Sequence, residues 1–208
     1  MKETLEKEFP KVERLSGKGR YETNLKILEA ADVAGGEIIV ATGENFADSL
    51  SASAVRRPIL LVKDTLSDAQ KEFLGGLEEA KFYIAGGTGA VSDKLKAELE
   101  DYTKAEIERL SGKSRKDTSV EIAKKFFKNP TAAIVASSEN YPDGLCGGPL
   151  AAELNVPLIL TFNGDYVRAR EYVDEGGIDA GYVLGGSGVL LNETVVEVYG
   201  LNSPDDIK

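Results

Sequence analysis

Short apolar runs alternate along the chain with stretches in which apolar residues recur at helical spacing. Ile38-Ile39-Val40-Ala41 and Ile59-Leu60-Leu61-Val62 are continuous four-residue apolar runs, the pattern of strands covered on both faces in a parallel sheet. The first half predicts strands near 12–15, 37–41, 59–62 and 82–85, separated by helices over 20–34, 46–55, 68–77 and 93–102. Ser67 and Ser92 precede two of these helices and suit N-caps, because a hydroxyl accepts a bond from a first-turn amide that has no partner inside the helix. Strand and helix in strict alternation predict an α/β class with parallel sheets.

The second half repeats the first. Val12-Glu13-Arg14-Leu15-Ser16-Gly17-Lys18-Gly19-Arg20 returns 95 positions later as Ile107-Glu108-Arg109-Leu110-Ser111-Gly112-Lys113-Ser114-Arg115, with Thr23 answered by Thr118. Ile39-Val40-Ala41-Thr42-Gly43-Glu44-Asn45-Phe46-Ala47-Asp48 likewise becomes Ile134-Val135-Ala136-Ser137-Ser138-Glu139-Asn140-Tyr141-Pro142-Asp143. Beyond that helix the offset is 99, pairing Pro58-Ile59-Leu60-Leu61 with Pro157-Leu158-Ile159-Leu160 and Tyr83 with Tyr182. Two homologous modules follow, 11–104 and 105–203. The helix after Asn140 is the weak element, since Gly144, Gly147, Gly148 and Pro149 all cost helix propensity and predict a shortened or distorted turn. In the first copy the same helix is rich in small residues, Ala47, Ser49, Ser51, Ala52, Ser53 and Ala54. These predict packing of the helix on its own sheet, with an inter-module interface as the alternative.

Composition narrows the chemistry. The chain has 208 residues, with 25 basic against 35 acidic and a formal charge of −10, which argues against a duplex nucleic-acid partner because phosphate contacts dominate that affinity. Histidine is absent, which excludes imidazole zinc sites and serine–histidine or cysteine–histidine catalysis. Cys146 is the one cysteine; it excludes an internal disulfide framework and reads as a packed apolar side chain. No run of about eighteen apolar residues could span a bilayer, so membrane insertion is not expected. The segment 1–9 is too polar for a signal peptide, leaving either a cytoplasmic protein or a piece of a longer exported one.

The motifs that resemble nucleotide sites break. Gly112-Lys113-Ser114 ends like a P-loop, but the glycine needed five positions earlier is Ile107. Gly86-Gly87-Thr88-Gly89 and Gly185-Gly186-Ser187-Gly188 read as tight strand-to-helix turns. Glu44 with Asp48 and Glu139 with Asp143 lie just after a strand, where carboxylates can hold magnesium or complement a helix dipole. The loops carrying Lys18 with Arg20 and Lys113 with Arg115 offer cations and amides to an anion; alternatively, Arg20 and Arg115 pair with Glu44 and Glu139. No cofactor and no metal are expected.

Taken in order, Arg14 to Thr23, Glu44 to Ala52, Pro58-Ile59-Leu60-Leu61 and Gly86 to Ser92 resemble the type 2 cell wall binding repeat of Gram-positive surface proteins, and the likeness covers both modules. The resemblance implies a Toprim-like or Rossmann-like α/β module without catalytic chemistry. It implies an extracellular, wall-located unit that anchors S-layer and associated proteins non-covalently to an anionic wall polysaccharide. It also implies polymer binding by Ile59, Leu60 and Leu61 and by Leu158, Ile159 and Leu160. Members commonly carry three repeats where this chain has two, and homo-oligomers are therefore expected. The expected site is a basic cleft of Lys18, Arg20, Arg56 and Arg57, with Lys113 and Arg115 from the second module. The competing functions are a Toprim-like magnesium phosphotransferase or nuclease using Glu44, Asp48, Glu139 and Asp143, and a purely structural oligomerisation module.

Overall fold

Strand β1, Gly35–Thr42, sits inside a four-stranded sheet between β2, Ile59–Val62, and β3, Glu78–Ala85. These assignments come from a computed structural model, which describes Phe9 and residues 11–208; the rest of the charged leading segment lies outside the described residues. All pairings are parallel, with Ile39 opposite Ile59 on one side and Tyr83 on the other. The helices of the first module are α1 (Arg20–Ala30), α2 (Ala47–Ala52, continued by a 3-10 turn over Ser53–Val55), α3 (Asp68–Gly75) and α4 (Asp93–Glu100). The serine caps form as expected: the Ser67 hydroxyl accepts from the Gln70 amide at 3.2 Å and the Ser92 hydroxyl from the Leu95 amide at 3.1 Å. Helix α1 stops earlier than its periodicity suggests, where Asp32 takes a left-handed φ of 53°.

The second module contains α5 (Arg115–Phe126), β5 (Ala133–Ser137), α6 (Pro142–Leu154), β6 (Leu158–Thr161), α7 (Val167–Gly176), β7 (Gly181–Val183) and α8 (Asn192–Tyr199). Its sheet has the order β6-β5-β7, matching β2-β1-β3 of the first module. Alternate residues of β1 explain its apolar run. Ile38 and Val40 pack with Leu25 and Leu28 of α1, Leu74 of α3 and Leu95 of α4. Ile39 and Ala41 instead enter a core shared with Ile134, Ala136, Leu158 and Leu160 of the second module. Both faces of the strand are therefore dry, as a continuous apolar run requires.

Four expectations are corrected. Residues 12–15 form no strand; 11–17 is irregular and largely exposed. Their repeat copy does form one, β4 (Glu108–Leu110), but it adds to the first sheet beside β3, with Tyr83 opposite Glu108 and Ala85 opposite Leu110. A three-residue strand persists only beside an edge that accepts its backbone bonds, and only the second copy has one here. The repeat boundary and the sheet boundary thus differ by one strand.

Helix α6 is not shortened: it runs thirteen residues through its glycines and Pro149. The glycines are explained by what they touch, since a Cβ on Gly144 would lie 2.7 Å from Leu50, and one on Gly148 2.0 Å from the Ser53 hydroxyl. The small residues of α2 likewise meet the second module, with Ala47, Leu50 and Ala52 in the shared core, so inter-module packing replaces the simpler reading. Finally, Cys146 is exposed on α6 rather than packed.

Candidate functional site

Helix α1 and the loop before it are built to hold one another. The Gly17 amide donates to the Thr23 hydroxyl at 3.0 Å, and the Lys18 amide to the Glu22 carboxylate at 2.7 Å. In the second copy the Gly112 amide donates to Thr118 at 3.2 Å, and Ser114 caps α5. These repeated threonines consume loop amides that the sequence left available to an anion. Arg20 and Arg115 also have matching roles: Arg20 donates to the Gly43 carbonyl, and Arg115 to the Ser138 carbonyl at 2.8 Å. Each guanidinium thus ties the start of its helix to the end of the central strand, bonding the carbonyl just before Glu44 or Glu139.

Tyr21 lies against Gly43, where a Cβ would approach its ring to 2.4 Å, and its hydroxyl donates to Glu44. Burial and the neighbouring carboxylate push the Tyr21 phenol up to about 12. The same bond, together with Lys63, holds the Glu44 carboxyl below its usual range. The second copy changes both partners at once, with Lys116 for Tyr21 and Ser138 for Gly43. Lys116 turns instead to Asp165 at 2.5 Å.

At the carboxyl ends of β1 and β2 these features enclose an open cleft of about 560 Å³, lined by Arg20, Gly43, Asn45, Phe46, Leu61 and Tyr141 among others. Tyr141 comes from the second module, so the wall is completed across the module boundary. Its ring meets Phe46 at 5.7 Å and a 58° tilt, within the preferred range for aromatic pairs. The Arg115 guanidinium, also from the second module, sits 5.6 Å from the Phe46 ring centre, at cation–π distance. Asn45 is polar lining whose side-chain oxygen accepts from the Phe46 amide at 2.7 Å. Sequence reasoning missed the Phe46 and Tyr141 pair. The signal was present, because both repeats place an aromatic residue directly after the equivalent asparagines.

The remaining expected site residues are dispersed. Lys18 and Lys113 are exposed on their loops. Arg56 and Arg57 do not reach the cleft. They precede β2, at its opposite end, and are already paired: Arg56 with Glu153 at 3.2 Å across the module boundary, Arg57 with Glu37 at 3.0 Å. Hydrogen bonds from Tyr83 and Arg57 hold the Glu37 carboxyl below its usual range. In β2, Leu60 is fully buried, Ile59 is partly exposed and Leu61 reaches the cleft. Asn24 covers the outer edge of this strand, donating to the Ile59 carbonyl and accepting from the Leu61 amide, both at 2.8 Å. Leu158, Ile159 and Leu160 are buried and cannot touch a polymer without opening the core.

The four candidate carboxylates do not converge. Glu44 is held by Tyr21, while Asp48 turns under the Gly86 turn. Among the described residues no group of three or more acidic, cysteine or histidine side chains could hold a metal ion. Burial, only partly offset by Arg115, raises the Asp48 carboxyl to about 6. Among the described residues no helix is long and apolar enough to cross a membrane.

Comparison with known proteins agrees with this two-module frame. The chain is 27% identical over 187 residues to N-acetylmuramoyl-L-alanine amidase LytC of Bacillus subtilis (strain 168), covering 87% of this chain and 37% of the amidase. It is 29% identical over 161 residues to the amidase enhancer of the same organism, covering 74% of this chain and 21% of that protein. Among solved structures, Cwp8 from Clostridium difficile superimposes with a TM-score of 0.83 at 28% identity, over 97% of this chain and 36% of Cwp8. Cwp6 from the same organism gives 0.74 at 26%, over 91% of this chain and 32% of Cwp6. The chain therefore spans between about a fifth and a little over a third of the length of these relatives. The model of cell wall binding domain 2 matches residues 14–96 and 109–196, and the chain belongs to that family as two tandem copies.

Proposed function

We propose that the chain is a non-catalytic wall-binding unit that holds an anionic wall polysaccharide in the cleft at the carboxyl ends of β1 and β2, outside the cell, and so anchors a surface protein. The observation that carries this reading is the make-up of that cleft. Arg20 and, across Phe46, Arg115 supply positive charge, while Phe46, Tyr141 and Leu61 supply apolar surface and Asn45 hydrogen bonding. Flat apolar faces beside directional polar groups suit sugar rings, and guanidinium groups suit carboxylate or phosphate substituents. The parallel order β2-β1-β3 supports a Toprim-like or Rossmann-like module, in which ligands gather outside the carboxyl ends of the strands. A net charge of −10 does not oppose such a contact, because local cations act at short range whereas net charge governs long-range steering.

The test is binding to purified walls before and after chemical removal of their anionic polymer. Native walls should retain the protein, stripped walls should not, and binding should weaken as salt rises. The double substitution Arg20→Ala with Phe46→Ala should lower affinity at least tenfold. Equal binding to stripped walls, or unchanged affinity of a folded double variant, would refute the reading.

A further inference from the structure

Where the first module has Lys63, Asp68 and Ser92, the second has Phe162, Val167 and Leu191 at the repeat offset of 99. At each position a polar residue gives way to a large apolar one. Burial does not explain the change, because Phe162, Val167 and Leu191 are 36%, 55% and 46% exposed. Their first-module counterparts are exposed or partly exposed too, although a second module is packed on that copy. These positions thus stay open to solvent whether or not a neighbouring module is present, and a patch of apolar surface there is available to a ligand.

Local bonds gather the three side chains. Phe162 leaves β6 into a turn closed by the Asp165 amide, which donates to the Phe162 carbonyl at 3.0 Å. Val167 opens α7 straight after that turn. Asn163, within it, donates to the Val189 carbonyl at 3.0 Å and accepts from the Leu191 amide at 2.8 Å, so the start of α8 is fastened beside Phe162. Gly164, with φ of 77°, leaves open space where a Cβ would stand, and the tip of the turn carries no side chain to hold a ligand off.

The platform adjoins the cleft. Ser137 is paired with Thr161 in the sheet, and the Ser138 amide donates to the Thr161 carbonyl at 2.7 Å. The Ser138 carbonyl accepts from Arg115 at 2.8 Å, and Arg115 lies over the Phe46 ring at 5.6 Å. One path therefore leads from Phe46 across Arg115 and Ser138 to Phe162, along the carboxyl ends of the strands. The bases flanking the platform are already paired, Lys116 with Asp165 at 2.5 Å and Arg168 with Asp117 at 3.0 Å and Glu171 at 2.7 Å, so the charges beside it cancel and favour an uncharged occupant. Three side chains fall well short of the roughly 800 Å² per partner that a stable protein interface buries; they match the face of a sugar ring.

We propose that Phe162, Val167 and Leu191 form a second subsite, where the polysaccharide that enters the cleft lays down the apolar face of an uncharged sugar ring. Resting on the wall-polymer reading, the subsite adds a division of labour to it: the cleft takes an anionic substituent on Arg20 and Arg115, and the platform takes a neutral ring farther along the same polymer. Apolar surface beside an aromatic face supplies the contact there, and no ion pair is formed.

The experiment is calorimetric titration of polymer released from purified walls into the native chain and its variants, over a series of salt concentrations. Phe162→Ala combined with Leu191→Ser should weaken binding about fivefold and leave its salt dependence as in the native chain, since an uncharged contact is not screened. Phe162→Lys, which restores the residue of the first copy, should also weaken binding. Arg20→Ala should instead flatten the salt dependence. Circular dichroism spectra and melting curves should match those of the native chain for both Phe162 variants, because the replaced side chains lie at the surface. Unchanged affinity of the double variant, a flatter salt dependence in it, or tighter binding by Phe162→Lys would each overturn the subsite and leave the cleft standing. Failure of the native chain to bind the polymer at all would sink the cleft reading, and the subsite with it.

Discussion

Asp48 points at Gly86 so closely that a Cβ on the glycine would stand 2.6 Å from the carboxylate oxygen, and Asp143 repeats this against Gly185 at 2.7 Å. The glycines have positive φ, 114° and 97°. The first turn of one helix is thus locked under the strand-to-helix turn of the next unit in both modules. The acid serves the fold there, which is why it repeats although its surroundings offer no metal partners.

Gly86→Ala combines a disfavoured φ with that contact and should destabilise the chain by about 1–3 kcal/mol. Gly87→Ala is the control: a Cβ there meets nothing within 4 Å, and the expected change is within about 0.5 kcal/mol. Urea unfolding of the two variants against the native chain checks the contrast.

The raised Asp48 carboxyl predicts a pH dependence of stability. Its folded value of about 6 lies above the ordinary aspartate value of 3.8, so between these limits the folded state binds more protons than the unfolded one. Stability from this group is then full below about pH 4 and is lost as pH rises to about 6. Asp48→Asn should remove that slope and raise stability at pH 7 by about 1–2 kcal/mol, allowing for partial solvent screening. A denaturation series from pH 3.5 to 7 would show it; an unchanged slope in the variant would assign the titration elsewhere.

Arg109 and Arg14 occupy the same repeat position in different surroundings. Arg109 bonds two carbonyls beneath the β4 joint and meets Asp93 at 2.9 Å, whereas Arg14 is exposed. Arg109→Ala should cost about 2–3 kcal/mol, because charged hydrogen bonds are lost and part-buried carbonyls lose their donor. Arg14→Ala should change stability by no more than about 0.5 kcal/mol.

Gly148→Ala places a methyl group 2.0 Å from the Ser53 hydroxyl, across the module boundary. Helix propensity alone would favour alanine by about 1 kcal/mol. Overpacking should win, giving a net loss of about 1–2 kcal/mol and a thermal transition that splits or broadens as the two modules uncouple. A stabilised, single transition would show that the interface can open to admit the methyl group.

The repeat, the α/β class, the central strands and the serine caps were legible because they rest on local chemistry: apolar runs, helical spacing and a hydroxyl one residue before a helix. The family resemblance was carried by the same kind of local motif. The sequence also held the Arg20 and Arg115 equivalence, though not what either bonds. Tertiary structure decided whatever depends on the neighbour a residue meets. Two nearly identical segments became β4 in one case and an irregular, exposed stretch in the other, since only one lies beside a sheet edge. Leu61 reaches the cleft while Leu160 is buried, because Leu160 lies inside the core shared by the two modules whereas Leu61 only packs against its margin. Arg56 and Arg57 looked like cleft cations in a linear list, but a strand's length separates its two ends, and at the far end Glu153 and Glu37 take them. Local pattern fixes which elements form; burial and partnership are properties of the assembled pair, and they buried Leu50, Tyr83, Leu110 and Ile122 while leaving their repeat counterparts Leu145, Tyr182, Leu15 and Ile27 at the surface.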